Sequence, residues 1–157
     1  MPPFQFLTCF GKRPIMDMVA CLILHNLFGR YPNLRMLSIE NGSTWVPDLL
    51  KDMDKSAMVT VSTQGAKRTK WVGGPITDRP SELFKRHFWV APFYEDPVPA
   101  LVERIGADRV LFGSDWPHPE GVREPLDFVQ ECEGLAPGPL RRVMRDNTAG
   151  LLGLAPA

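Results

Sequence analysis

The chain has 157 residues, of which 44% are hydrophobic and 23% charged, and its 18 basic and 18 acidic residues give a formal net charge of zero. This length and balance predict a single globular domain over residues 1–157, with no electrostatic reason to expect nucleic acid or a membrane as a partner. The apolar runs are too short to span a membrane, the first ten residues lack a secretion signal, and the three cysteines are odd in number and widely spaced. We therefore expect a cytoplasmic protein without a disulfide framework.

The first predicted element is a helix. Residues 1–14 show no clear hydrophobic period and form a poorly defined lead-in. In residues 15–28 the apolar side chains recur at helical spacing, and Gly29 follows where a helix C-cap is expected. His25 lies at the edge of the apolar stripe, and we expect no carboxylate or cysteine at ligand spacing from it, so a surface position is favoured over metal binding.

A strand and a second helix follow. Residues 35–41 predict a strand with the Glu40 carboxylate at its carboxyl tip. Leu37 and Ile39 would face one side of this strand, and Met36, Ser38 and Glu40 the other. Thr44 is a suitable N-cap for a helix from about residue 45 to residue 55. Residues 56–79 are interrupted by glycine and proline, and the basic patch at 66–71 is interpreted as a solvated loop in preference to a phosphate site.

The next predicted elements are a short helical turn at 80–86, a strand at 88–91 and a short helix at 97–106. His87 stands at the N-terminal end of this strand. Because chemistry in parallel α/β folds is concentrated at the carboxyl ends of strands, this position favours a structural role.

A bounded apolar run predicts a third, buried strand over residues 110–115. Asp115 would stand at its carboxyl tip, on the same face as Gly113, where parallel α/β enzymes place catalytic residues. Asp is equally favoured as the cap of a turn or helix, so the strand pattern alone supports both roles for Asp115. Helical segments are predicted over 122–132 and 139–152.

The order of these elements, with each strand followed by a helix, predicts a parallel α/β fold with right-handed crossovers. Neither a Gly-x-Gly-x-x-Gly sequence after a strand nor a Walker loop is present, so no motif supports a nucleotide-binding fold.

Several segments, taken in their order along the chain, resemble amidohydrolase-related proteins, in particular the branch that includes aminocarboxymuconate-semialdehyde decarboxylase and other aromatic-acid decarboxylases. These segments are residues 31–35, 40–47, 80–82, 105–121 and 146–154. The most specific of them is Gly113-Ser114-Asp115-Trp116-Pro117-His118. The resemblance covers most of the chain from about Ile15 onward.

The resemblance implies an α/β fold that is part of a TIM (β/α)₈ barrel, a fold that takes roughly 250 residues. This chain would supply the last three βα units, that is, three parallel strands with flanking helices. Residues 35–41, 88–91 and 110–115 would be the sixth, seventh and eighth strands of the barrel.

The resemblance also implies a divalent metal, usually zinc. Its ligands in the family are a His-x-His pair on the first strand, a His near the fifth and an Asp at the end of the eighth. Asp115 matches that Asp and is the expected metal ligand, whereas the sequence contains no His-x-His pair and no match to the fifth-strand His. Because a catalytic zinc takes about three protein ligands and a water, the metal site within this chain is expected to be incomplete.

Asp115, His118 and Glu40 are the candidate catalytic residues. Three positions beyond Asp115, His118 either supports the site or faces the substrate, or it hydrogen-bonds the loop after the strand, and both roles stay open. Glu40 either orients water, substrate or a ligand, or forms a buried ion pair with an Arg or Lys.

Two functions from different classes remain open. The resemblance implies a metal-dependent hydrolase or non-oxidative decarboxylase acting on a small, aromatic or unsaturated carboxylic acid, with Asp115 both binding the metal and transferring a proton. The alternative is a non-catalytic fragment or degenerate copy that keeps the fold signature without the metal site.

Three parallel strands with helices on one side would leave one sheet face and both edges uncovered, whereas parallel sheets are normally buried on both faces. We therefore expect the chain to associate, either with a second copy of itself or with a missing N-terminal half that supplies the other strands.

Overall fold

The structure is a computed structural model that describes residues 3, 10–62, 73–119 and 121–154, without the side chains of residues 59–62. The basic patch at 66–71 lies outside the described residues. The chain divides into two compact units, which we call the helical unit (the described residues of Met1–Arg35 and Trp45–His87) and the strand unit (those of Met36–Thr44 and Phe88–Ala157). No helix among the described residues is long and apolar enough to cross a membrane.

The helical unit contains four α-helices. They are α1 (Arg13–Leu24), α2 (Leu27–Arg30), α3 (Val46–Ser62) and α4 (Pro80–His87). Its buried apolar side chains are Val19, Ile23, Phe28, Trp45, Val46, Leu49, Leu50, Met53, Leu83 and Phe84. The sequence period that predicted helices at 15–28, 45–55 and 80–86 thus reflects an apolar face that is buried on folding.

Two helix boundaries differ from the prediction for physical reasons. The helix predicted over 15–28 is interrupted because Asn26 adopts a left-handed conformation, with φ 55°, which Asn tolerates better than most residues. Its side-chain amide donates to the carbonyl oxygen of Gly73 at 3.0 Å. Helix α3 extends to Ser62 instead of ending near residue 55, since no glycine or proline occurs between Asp48 and Gly65.

The histidines of the helical unit have the positions that the sequence predicts, with one correction. His87 is buried, stacks on Phe28 with ring centroids 4.3 Å apart, and its Nδ1 donates to the carbonyl oxygen of Leu34 at 3.0 Å, which is a structural role. His25 is exposed, as predicted. The view that no cysteine stands near it is wrong, because Cys21, one helical turn earlier, places its Sγ 3.5 Å from Nδ1 of His25.

The strand unit contains two short parallel strands and several helical segments. The strands are β1 (Met36–Ser38) and β2 (Phe88–Val90), and the α-helices are α5 (Val98–Ile105), α6 (Pro137–Arg141) and α7 (Asn147–Leu151). The other segments are 3₁₀ helices at Ala107–Arg109 and Pro125–Cys132 and a π-helical turn at Arg142–Asp146. The helices predicted over 122–132 and 139–152 are therefore present, but the first is a 3₁₀ helix and the second changes type twice.

The strand predicted over residues 35–41 is shortened to β1, and its alternation is confirmed only there, since Glu40 is exposed while Ser38 is buried. Ser38 is buried, whereas Leu37 and Ile39 are 48% and 45% exposed. In the register of the pair, Met36 lies opposite Phe88 and Ser38 opposite Val90, and the amide of Ala91 donates to the carbonyl oxygen of Ser38.

The third predicted strand, over residues 110–115, is reduced to a single bridge. Val110 pairs in parallel with Val90, and the amide of Leu111 donates to the carbonyl oxygen of Val90 at 2.8 Å. The next hydrogen bond of this ladder would need an N–H group at position 92, and Pro92 has none. The three-stranded sheet of the prediction is therefore a two-stranded sheet with one added bridge.

The C-terminal part of the chain is tied to this bridge. The side-chain amide of Asn147, at the start of α7, donates to the carbonyl oxygens of both Ala107 and Val110, at 2.7 Å each. Cys132 is buried in the same unit, and desolvation, together with the neighbouring Glu131 carboxylate, raises the pKa of its thiol. This thiol stays protonated near neutral pH and serves as a packing group.

Candidate metal centre

Two carboxylates occupy the chain just beyond the carboxyl ends of the paired segments, and both have an unusual backbone. Glu40 follows β1 with φ 60°, and Asp115 follows the Val110 bridge with φ 57°. A left-handed conformation costs a residue other than glycine about 1–2 kcal/mol. Among the described residues other than glycine, only Asn26 also has a left-handed backbone conformation. Strained backbone of this kind concentrates at functional sites.

A tight turn follows Asp115 and brings His118 back toward it. The amide of His118 donates to the carbonyl oxygen of Asp115 at 2.9 Å, and the amide of Val122 closes the loop on the carbonyl oxygen of Ser114 at the same distance. Gly121 packs against this turn, since a Cβ atom there would lie 2.4 Å from the carbonyl oxygen of Asp115. The turn therefore requires glycine at position 121.

The three candidate residues come together in the strand unit. One side-chain ligand atom from each of Glu40, Asp115 and His118 lies within 4.8 Å of the others. Glu40 and His118 are exposed and Asp115 is half-buried. Two carboxylates and an imidazole at this spacing offer the oxygen and nitrogen ligands that Mn²⁺ and Zn²⁺ accept.

The Asp115 carboxylate has an unsatisfied oxygen. Its Oδ1 is buried and has no hydrogen-bond partner in the described part of the chain. A buried carboxylate oxygen without a donor is costly unless a cation or an ordered water approaches it. Oδ1 therefore caps no turn or helix within the described residues.

A pocket lies beside the cluster within the strand unit and has a volume of about 150 Å³. Its lining residues come from the three segments that follow the paired strands, and they are Ile39, Glu40, Ala91, Pro92, Phe93, Phe112, Gly113, Ser114, Asp115 and Trp116. A cavity of about this volume accommodates one benzene-sized ring. Phe93, Phe112 and Trp116 are its aromatic lining residues, and Glu40, Ser114 and Asp115 are its polar ones.

The structure shows which predictions about these residues need revision. Glu40 is exposed, so the alternative of a buried ion pair does not describe it. The strand alternation expected over residues 110–115 does not continue beyond the Val110 bridge, because four consecutive residues line one pocket, namely Phe112, Gly113, Ser114 and Asp115. Gly113 is needed for close packing, since a Cβ atom there would lie 2.1 Å from the carbonyl oxygen of Pro92.

Phe93 is a pocket residue that sequence reasoning missed. It follows directly after β2 and Pro92, at the same carboxyl end as Glu40 and Asp115. The rule that sites in parallel α/β folds collect at this end would have identified it.

Comparisons with known proteins identify the family of the chain. The amidohydrolase family model matches residues 3–154. An amidohydrolase structure from Mycobacterium avium subsp. paratuberculosis K-10 is 38% identical to this chain. The match covers 96% of this chain and 36% of the Mycobacterium protein, with a TM-score of 0.80. No curated protein matches the chain.

Two further solved structures share the fold at lower identity. The 5-carboxyvanillate decarboxylase of Sphingomonas paucimobilis is 21% identical, with a TM-score of 0.67 over 88% of this chain and 39% of its own. The dihydroxybenzoic acid decarboxylase of Polaromonas sp. JS666 was solved with manganese and the inhibitor 2-nitroresorcinol. It is 18% identical to this chain, and the match covers 90% of this chain and 40% of the decarboxylase, with a TM-score of 0.58. The chain thus spans 36% to 40% of the length of these structures. The match over nearly all of its residues shows that the chain belongs to the amidohydrolase family.

Proposed function

We propose that this chain forms part of the divalent-metal and substrate site of an enzyme that hydrolyses or decarboxylates a small, aromatic or unsaturated carboxylic acid. The observation that carries the proposal is the cluster of Glu40, Asp115 and His118, with ligand atoms within 4.8 Å of one another at the edge of the pocket. The manganese and the aromatic inhibitor in the Polaromonas decarboxylase support it.

The residues of the cluster fit a divalent cation. Asp115 would be its principal ligand, because Oδ1 is buried without a partner and a cation would satisfy it. Glu40 and His118 would complete the contribution of this chain, and their exposure leaves the cluster open to further ligands. When bound, a divalent cation would polarise a substrate oxygen and lower the pKa of a coordinated water.

The chain's own residues would handle protons and orient the substrate. In a decarboxylation, the bond between the substrate carbon and its carboxyl group breaks, CO₂ leaves, and that carbon takes up one proton. We assign to the Asp115 carboxylate, which borders the pocket, the transfer of this proton from water to the carbon, and in hydrolysis the same group would take a proton from the attacking water. His118 and Glu40 would orient the substrate and the attacking water.

The pocket supports a small planar substrate. Phe93, Phe112 and Trp116 contribute aromatic faces, and the ring of Phe112 is held edge-to-face by Phe128 at a centroid distance of 5.4 Å. Offset or edge-on contacts with such rings favour an aromatic or conjugated ligand. The volume of about 150 Å³ leaves room for a single ring.

Manganese binding tests the proposal directly. Titration of the chain with Mn²⁺, followed by the loss of the electron paramagnetic resonance signal of the free ion, should reveal one site. Asp115→Asn should abolish binding while keeping the fold, because Asn tolerates the left-handed backbone that Asp115 adopts. Asp54→Asn, a carboxylate change in the helical unit, is the control and should leave binding unchanged.

A wild-type chain that binds no Mn²⁺ would contradict the proposal and favour the non-catalytic alternative. Equal binding by the wild type and by Asp115→Asn would contradict the assignment of Asp115. Competition with Zn²⁺ in the same titration would identify the preferred metal.

A further inference from the structure

Asp96 carries a buried carboxylate that the proposed chemistry does not use. The residue is 8% exposed, and one oxygen, Oδ2, accepts three hydrogen bonds. The donors are the amide of Ser43 at 2.5 Å, the hydroxyl of Ser43 at 2.9 Å and the amide of Phe93 at 3.1 Å. Three donors on one oxygen stabilise a buried negative charge and fix the backbone that supplies them.

These donors join the two loops that border the pocket. Ser43 belongs to the loop after β1, which carries Glu40, and Phe93 belongs to the loop after β2. Gly42 is packed between them with φ 59°, and a Cβ atom there would lie 2.8 Å from the Phe93 ring and 3.1 Å from Oδ2 of Asp96. The Asp96 carboxylate therefore holds the first loop against the second.

Glu40 lies on a short segment that is anchored at both ends. On one side, Ser38 accepts a hydrogen bond from the amide of Ala91 in the sheet, and on the other side Ser43 is bound to Asp96. The left-handed conformation of Glu40 is unfavourable by itself and persists only where the surroundings impose it. The contact of Ser43 with Asp96 restrains the segment from the loop side, and within the segment the side-chain amide of Asn41 donates to the carbonyl oxygen of Ile39 at 2.6 Å.

We infer that Asp96 is a positioning residue, which keeps the Glu40 carboxylate beside Asp115 and His118 by anchoring the loop that carries it. The inference rests on the proposed metal site for its functional meaning. Asp96 acts through the backbone of the loop that it anchors, and its side chain touches neither metal nor substrate. Residues that orient metal ligands in this way typically change metal affinity about 10- to 100-fold when removed.

The first arm of the test needs no metal. Amide hydrogen exchange is measured in the wild type, in Asp96→Ala and in Asp54→Ala, which removes an equivalent contact to Ser81 in the helical unit. Asp96→Ala should speed exchange at residues 39–44 and leave residues 80–87 unchanged, and Asp54→Ala should do the reverse. Unchanged protection of residues 39–44 in Asp96→Ala would overturn the inference.

The second arm measures Mn²⁺ affinity in a double-mutant cycle with Glu40→Gln. Asp96→Ala should weaken binding about tenfold in the wild-type background and have little effect in the Glu40→Gln background, because the two changes remove the same contribution. A merely structural role would weaken binding equally in both backgrounds, and this result would overturn the inference. Asp96→Asn retains an acceptor oxygen and should lose less affinity than Asp96→Ala.

The two arms separate the inference from the proposed function. A wild type that binds no Mn²⁺ overturns the metal site, and with it the functional meaning of Asp96, whatever the exchange data show. Mn²⁺ binding by the wild type that Asp96→Ala leaves unchanged overturns the positioning role while the metal site stands.

Discussion

The helical unit and the strand unit each contain an aspartate that binds both the amide and the hydroxyl of one serine. In the helical unit, Asp54 accepts from the amide of Ser81 at 2.8 Å and from its hydroxyl at 2.7 Å. In the strand unit, Asp96 accepts from the same two groups of Ser43, and from Phe93 in addition. The chemistry of the two contacts is nearly identical.

What differs is the structure that each serine belongs to. Ser81 is the second residue of α4, so Asp54 satisfies one of the N-terminal amides that a helix leaves without partners and places a negative charge at the positive end of the helix. Ser43 lies outside any helix, three residues after Glu40. The same contact thus stabilises an element in one unit and holds a candidate site loop in the other, so its role follows from its location.

The largest effect in this comparison is expected from Gly121, which packs on the site of the strand unit. Gly121→Ala would bring a Cβ atom to 2.4 Å from the carbonyl oxygen of Asp115 and displace the turn that carries His118. We expect Mn²⁺ affinity to fall about a hundredfold, the upper end for changes that move metal ligands. The measurement is the same Mn²⁺ titration.

Gly150→Ala provides the matched control for this change. Gly150 lies within α7, and a Cβ atom there meets nothing within 4 Å, so alanine should leave Mn²⁺ binding unchanged and favour the helix. Equal Mn²⁺ affinity in Gly121→Ala and the wild type would show that the turn at Asp115 is not part of the metal centre.

The second effect concerns stability and should be similar in the two units. Asp54→Ala and Asp96→Ala each remove hydrogen bonds from a serine to a carboxylate, and bonds to charged groups contribute about 1.5–3 kcal/mol. We expect the free energy of unfolding to fall by about 2 kcal/mol in each variant, measured by urea denaturation. A much smaller loss for Asp54→Ala would show that water replaces its contact to α4, which is only partly buried.

Sequence patterns predicted the parts of this molecule that depend on local spacing. Hydrophobic period identified the helices, and alternation identified β1, although the predicted strand extended to Glu40 and β1 ends at Ser38. The segment around Asp115 identified the family, and the structure then brought Asp115, His118 and Glu40 within ligand distance of one another. The helices, β1 and the Asp115 segment are each determined by residues close together in sequence, whereas the approach of Glu40 to Asp115 depends on the tertiary fold.

The features that escaped prediction depend on the register between distant segments. The third strand is cut short because Pro92 falls opposite the ladder from Leu111, and this register is not visible before the strands are paired. The Asp96–Ser43 contact joins residues 53 positions apart. No local pattern distinguishes Asp96 or Ser43 from an ordinary loop residue, since Asp and Ser are common in turns.

The smallest effect is expected from removing single hydroxyls, and it separates the two contacts most sharply. Ser81→Ala and Ser43→Ala each keep the amide bond to their aspartate and lose only the hydroxyl bond, so each should lower the free energy of unfolding by about 1 kcal/mol. Ser43→Ala alone should also weaken Mn²⁺ binding, by a factor smaller than that for Asp96→Ala, because it loosens the loop of Glu40 without freeing it. Denaturation and Mn²⁺ titration of the same two preparations measure both quantities. If the two variants lose the same stability and neither changes Mn²⁺ affinity, the amide bond of Ser43 is sufficient to hold the loop, and the hydroxyl contributes only stability, as it does in the helical unit.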